Sequence, residues 1–191
     1  MLKQYLRQGF IFKPILFIFL VILTPSIDSS MFAYQYRELN FSFQFYSYIS
    51  IAVSLTNIFA VMFYRQFLQN IGLSKIITVT TLSMCLFKCL KLMIIFKLNT
   101  KIGISNEVFY MISECTYSFV NEIHLMPLMV MACRICPKKV EATVYEFILS
   151  IINLGYLISY QSGGWVSNWL NITNDNFDNL WILIVISAGF P

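Results

Sequence analysis

Histidine and charge are what this sequence most lacks. One histidine, His124, stands in 191 residues, and only 12% of positions are Asp, Glu, Lys or Arg. Metal chemistry of the membrane His-box kind needs several imidazoles, so a single one excludes it. Glycine is also sparse, with seven in the chain. Neither GxGxxG nor GxxxxGK[ST] occurs, which removes a nucleotide-binding loop. The cysteines are odd in number, five, and lie mostly in apolar runs. That is the setting of small buried hydrophobes rather than of a disulfide framework. Cys133 and Cys136 make one CxxC with no second pair near it, whereas a structural zinc takes four ligands. The net charge is +4, yet no run of like charge exceeds Lys138-Lys139, so there is no nucleic-acid patch. No catalytic triad or metal constellation appears, and the sequence points to no enzyme and no cofactor.

What is present is apolar. Hydrophobic residues make up 58% and aromatics 17% of the chain, and mean hydropathy is +0.71. Soluble domains run near 45–50% apolar and about 25% charged. A soluble fold of this size would have too little polar surface to cover itself. The expectation is an all-α, multi-pass membrane bundle. With roughly 20 residues per crossing and short loops, the length holds about six spans.

The apolar stretches place these spans at about 10–36, 43–64, 76–98, 108–133, 140–170 and 180–191 within one helical domain. The last is too short to cross a core of about 30 Å at 1.5 Å per residue, which gives five complete spans and a truncated sixth. The first is too long, and too polar in its second half, for a signal peptide. Alternating the loops puts Lys3, Arg7, Lys13, Arg65, Lys75, Arg134, Lys138 and Lys139 on one side, against Arg37, Lys97 and Lys101 on the other. The positive-inside rule makes the first side, and the amino terminus, cytoplasmic. Two sequons, at Asn40 and Asn171, both fall in loops assigned outside. Which membrane is crossed does not follow from these patterns.

Polar side chains inside spans are costly and are functional candidates by default. In the first span Pro25 removes a backbone donor, and Asp28 follows. Either the segment is a mobile, substrate-facing break with Asp28 as an ion or proton site, or Asp28 caps a helix that restarts there. In the second span Ser47, Ser50, Ser54 and Asn57 share a helical face. The serines read as tight helix packing, and Asn57 as the better site candidate. In the third, Lys91 is expected to snorkel outward. Lys88, near mid-span, is expected to meet a carboxylate of another helix or an anionic solute.

The fourth span is the richest. Glu114, Ser118 and Glu122 recur every four residues beside a row of Ser113, Tyr117 and Asn121. Low dielectric and mutual repulsion both make two negative charges there costly, so the pair suits proton coupling; the plainer alternative is that they pair Lys88 or Lys91. His124 reads as a packing residue, and Pro127 as a kink. In the fifth span Thr143, Glu146, Ser150, Asn153 and Tyr160 lie along one face. Gly155, Gly163 and Gly164 suggest close helix approach. Trp165, Trp169 and Trp181 flank the outer loop as an aromatic belt. A polar face on each of the five complete spans fits a central aqueous pathway.

One stretch is more specific. Pro127, Ala132, Arg134-Ile135-Cys136-Pro137, Val140-Glu141-Ala142-Thr143, Ser150 and Asn153-Leu154-Gly155 resemble the signature of the BT1 family. Its members are folate–biopterin transporters of the major facilitator superfamily. Pro25 to Phe32, Leu39 and Phe41-Ser42 resemble the first helix of that family's carboxyl-terminal half, and Tyr64-Arg65 and Leu68 the loop after its second. Lys138-Lys139 depart from the pattern in a loop. The resemblance implies half of a twelve-helix transporter of pterin-like anionic solutes that works by alternating access. It implies a charge network around Arg134 and Glu141 in a cytoplasmic loop, with Pro137 and Thr143 in the same motif. On that reading Lys88 meets the anion. Asp28, Glu114 and Glu122 contact solute or proton, and Asn57, Asn121 and Asn153 hydrogen-bond a pterin ring. The partners are the bilayer, the solute, and either a missing amino-terminal half or a second copy. The rival is a non-transporting membrane subunit or an inactive truncated product.

Overall fold

The computed structural model describes residues 9–135 and 141–189. Among them the regular structure is helical: α1 Gly9–Ile22, α2 Asp28–Arg37, α3 Phe43–Phe63, α4 Leu73–Ile95, α5 Leu98–Lys101, α6 Asn106–Ile135, α7 Glu141–Trp169 and α8 Leu180–Gly189. The fold class expected from composition is therefore observed as all-α. Among the described residues three stretches are long and apolar enough to cross a membrane: Phe43–Leu68, Leu73–Ile95 and Ala142–Trp169. Of the rest, α6 has 30 residues but carries the carboxylate stripe, and α8 has ten.

Local sequence explains where helices stop. Pro25 has no N–H and disfavours helical geometry at Thr24, and the expected first span is accordingly two helices with residues 23–27 between them. The Ser42 hydroxyl accepts from Phe45 N at 3.2 Å and so caps α3. Its far end loosens into a π turn, Tyr64–Leu68, closed by Gln69 N donating to Tyr64 O at 3.0 Å. Lys97 (φ 53°) turns the chain out of α4, and Gly103 (φ 83°) turns it towards α6. The latter angle is one glycine adopts freely. In contrast, α6 runs unbroken through the buried Pro127.

The long α6 is the centre of the bundle, with α1, α3, α4 and α7 against it. Apolar packing is divided among three clusters. One joins α2, α3, α6 and α8 through Met31, Phe45, Tyr110, Leu183 and their neighbours. A second joins α1, α6 and α7 through Ile18, Leu128 and Ile148. The third joins α3, α4 and α6 through Ala60, Ile76 and Ile123. The outer face of α3, with Ile51, Leu55, Ile58 and Met62, is exposed, as suits contact with lipid. Trp165 and Trp169 are exposed as well.

A row of small residues brings α7 against the break between α1 and α2. A Cβ on Gly155 would meet Ile22, and one on Gly163 would collide with the Ser26 carbonyl. Between them Ser159 O accepts from Ser26 N at 3.0 Å, and Ser159 Oγ donates to Thr24 O. One turn further on, Ser30 and Ser167 hydroxyls meet at 2.8 Å. Positions 155, 159, 163 and 167 recur every four residues, the spacing of one helix face. Small side chains let the backbones approach, and α7 thereby supplies partners to a backbone that no longer supplies its own. Gly164 differs from expectation, since nothing lies within 4 Å of a Cβ there.

Candidate functional site

The break, α4, α6, α7 and α8 enclose a cavity of about 640 Å³. Its α6 wall is Tyr117, Asn121, His124, Leu125 and Leu128, a face repeating every three to four residues. The wall from α4 is Thr81, Met84, Lys88 and Lys91, again a single face. Asp28 and Ser26 stand at the break, Asn153, Tyr156 and Tyr160 on α7, and Ser187 on α8.

Four sequence-predicted residues are thus brought together: Asp28, Lys88, Asn121 and Asn153. Asp28 opens α2, and the Ser26 hydroxyl donates to its Oδ2 at 2.8 Å. Its side chain does not cap the helix; Ile27 holds the cap position. A negative charge in a first helical turn is nevertheless favoured by the helix dipole.

The lysines depart from expectation. Lys91 does not snorkel outward. It is 3% exposed; its Nζ stands 3.1 Å from Glu114 Oε2 and 5.3 Å from the centre of the Tyr117 ring. The Glu114 oxygen makes no well-directed hydrogen bond, so this contact is an ion pair reinforced by a cation–π contact. It is also the pairing that the plainer reading of Glu114 foresaw. Lys88, rather than a carboxylate, meets α8: its Nζ donates to Ser187 O at 3.0 Å and Ser187 Oγ at 3.3 Å. Four residues beyond Ser187 the sequence has Pro191, which has no N–H to offer that carbonyl. Next to it, Cys85 Sγ donates to Ala188 O at 2.7 Å. Carbonyls at a helix carboxyl end carry partial negative charge, which suits a cation.

Three other predicted residues lie off the cavity wall. Glu114 is withdrawn into its ion pair. Asn57 bridges α3 to α6 by accepting from Ser118 Oγ at 2.7 Å, so this part of the carboxylate stripe is spent on helix contact. Glu122 is partly buried beside the cavity face of α6. Among the described residues no helix packs on the α3 serines: Ser47 and Ser54 are exposed, bonded to Phe43 O and Ser50 O of their own helix. Among the motif residues, Arg134 falls in the last turn of α6, Glu141 opens α7 and Thr143 is exposed near its start. Pro137 and Cys136 lie outside the described residues. On α7 the row Thr143, Glu146, Ser150, Asn153 and Tyr160 is exposed throughout.

The sequence did not place Lys91, Ser187 or His124 in the site. The spacing of Lys88 and Lys91 already put both on one face, which was signal enough for the first. Nothing local marks Ser187. His124 is 5% exposed and bonded through Nδ1 to Thr80 Oγ1 at 2.8 Å, as a packing histidine would be, yet it also lines the cavity.

The sequence profile of the BT1 family matches residues 1–189. A folate-biopterin transporter of Synechocystis sp. is 31% identical over 184 residues, covering 96% of this chain and 37% of the relative. Folate transporter 2 of Plasmodium falciparum is 29% identical over 99% of this chain and 41% of its own length. A probable folate-biopterin transporter 4 of Arabidopsis thaliana is 24% identical, over 98% and 38%. The chain thus spans about two fifths of the length of these relatives. No solved structure matches it.

Proposed function

Since the chain belongs to the BT1 family and is an integral membrane protein by that kinship and by its apolar helices, we propose that it moves pterin-like anionic solutes by alternating access. The observation that carries this reading is Lys88. It is 9% exposed, lines a cavity large enough for a drug-sized molecule, and has only neutral partners on α8. Among the described residues no carboxylate lies within ion-pair distance of it. The carbonyl end of α8 and Asp28 in the same cavity offset this charge only in part; a cation with no carboxylate in direct contact is expensive at such a position, and a carboxylate on the solute relieves that cost. Lys91, already neutralised by Glu114, keeps the adjacent wall of the site from being doubly positive.

On this reading Asn121 and Asn153 offer paired donors and acceptors to a heterocycle, and Tyr117, Tyr156 and Tyr160 offer ring faces. Asp28 stands at the break, where a change in backbone conformation would alter access. The exposed polar residues near the start of α7, Thr143, Glu146 and Ser150, face further helices, from the same polypeptide or a second copy, that complete the pathway. The major facilitator fold is the architecture this implies.

Uptake of labelled folate and biopterin into vesicles tests the proposal. Lys88→Met is expected to lower folate uptake tenfold or more and to affect biopterin, which has no carboxylate, much less. Equal losses for both would remove Lys88 from charge recognition. Proton coupling through Glu122 is the remaining part of the proposal. Glu122→Gln is expected to flatten the pH dependence of uptake, and an unchanged profile ends that idea.

A further inference from the structure

His124 is the chain's one histidine, and its proton can be located by counting donors. Thr80 Oγ1 has three near neighbours: Ile76 O at 2.7 Å, Ile77 O at 3.0 Å and His124 Nδ1 at 2.8 Å. The two carbonyls only accept, while the hydroxyl has one proton. Were that proton given to the imidazole, Oγ1 would sit 2.7 Å from a carbonyl oxygen with no hydrogen between them. The arrangement closes only when Thr80 donates to its own helix and His124 Nδ1–H donates to Thr80. In a neutral ring the other nitrogen, Nε2, is then a bare acceptor. Thr80 and His124 are both buried, at 7% and 5% exposure, so water does not readily take over either role. His124 is also part of the cavity wall, on the same α6 face as Tyr117 and Asn121, and Lys88 of the adjoining α4 lines the same cavity.

We infer that Thr80 fixes His124 in the Nδ1–H tautomer, and that Nε2 is a specificity-determining acceptor for a solute N–H. The chemistry recognised is an amide-like or amino-substituted heterocycle edge, presented while Lys88 holds the anionic end. The identity of the solute rests on the transport reading above; the tautomer does not. Thr80 is a positioning residue here, because it acts through the imidazole. The remaining charged groups of the cavity are Asp28 from the break and Lys91, already paired with Glu114. Of these only Asp28 can accept a hydrogen bond, and it stands at the break rather than on α6.

Two measurements on the full chain in lipid nanodiscs test this. A single histidine gives one pair of ring nitrogen signals in a ¹⁵N spectrum. Without solute, Nδ1 is expected to be the protonated nitrogen and Nε2 the bare one, and Thr80→Val is expected to mix the two tautomers. The reverse assignment overturns the inference, as does a spectrum that ignores Thr80→Val. Binding of labelled biopterin then tests the role. Gln at position 124 can offer an acceptor near Nε2, so His124→Gln should retain binding within about threefold. Asn reaches only to the Nδ1 position, so His124→Asn should keep the Thr80 contact and bind about tenfold more weakly, the cost of one buried acceptor lost. A purely structural histidine gives the opposite order, and that order overturns the acceptor role. If the unmodified chain binds neither biopterin nor folate, the transport reading fails and the solute assignment fails with it, whatever the spectrum shows.

Discussion

A buried lysine is stable only beside something negative, and the two lysines of α4 solve this differently. Lys91 has Glu114 at 3.1 Å, while Lys88 has the carbonyl end of α8. The difference is testable. Glu114→Gln leaves Lys91 charged and unpaired at 3% exposure and should destabilise the protein by as much as about 3 kcal/mol, as breaking a buried pair does. Glu114→Gln with Lys91→Met removes both charges and should recover most of that loss. Thermal unfolding in detergent followed by tryptophan emission measures both. Arg37 and Asp175 offer the contrast: at 3.8 Å, with side chains 53% and 91% exposed, their pair contributes little, and Asp175→Asn should leave the melting temperature unchanged. The residue scale also shows where sequence reading falls short. Lys88 and Asn121 could be selected as site residues because polar groups in apolar runs stand out. The direction in which Glu114 or Asn57 points depends on which helix lies alongside, and no local pattern contains that.

Among the helices, the break between α1 and α2 matters most. Pro25 announces it, and the sequence places it correctly to within a few residues. What holds it is on another helix, more than 130 positions away. Ser159 and Gly163 of α7 bind and accommodate the backbone of Thr24 and Ser26. Gly163→Ala would drive a methyl group into the Ser26 carbonyl, and overpacking of this kind costs about 1–3 kcal/mol. Gly164→Ala, one position on, meets nothing within 4 Å and serves as the control. Cysteine accessibility at position 27 should rise in Gly163→Ala and stay unchanged in Gly164→Ala. Equal accessibility in both variants would mean that α7 does not clamp the break. The glycines could be read as close-approach residues from sequence, but only the approach of the break at Ser26 distinguishes Gly163 from its neighbour.

For the whole molecule, the bundle is arranged around α6, the least uniformly apolar of the long helices. It can be central because most polar residues of its stripe have a destination: Glu114 to α4, Ser118 to α3, Tyr117 and Asn121 to the cavity. The charge asymmetry of the loops predicts an orientation for this arrangement, with the loop at Asn171 outside. In cells that glycosylate, Asn171 should be modified and the modification removed by Asn171→Gln. Asn171 is exposed with φ 54° in the α7–α8 loop, where an enzyme can reach it. A mass unchanged by glycosidase would argue for the reverse orientation.

Composition and hydropathy by themselves determined that this chain is helical and lies in a membrane, because a bilayer allows so few ways of satisfying a backbone. A short signature determined its family. Only the tertiary structure decided which polar residues face the cavity, which lysine is neutralised within the protein, and which nitrogen of His124 meets Thr80. Those outcomes depend on distances between helices far apart in sequence. Helical periodicity says which residues share a face, but not what stands opposite that face.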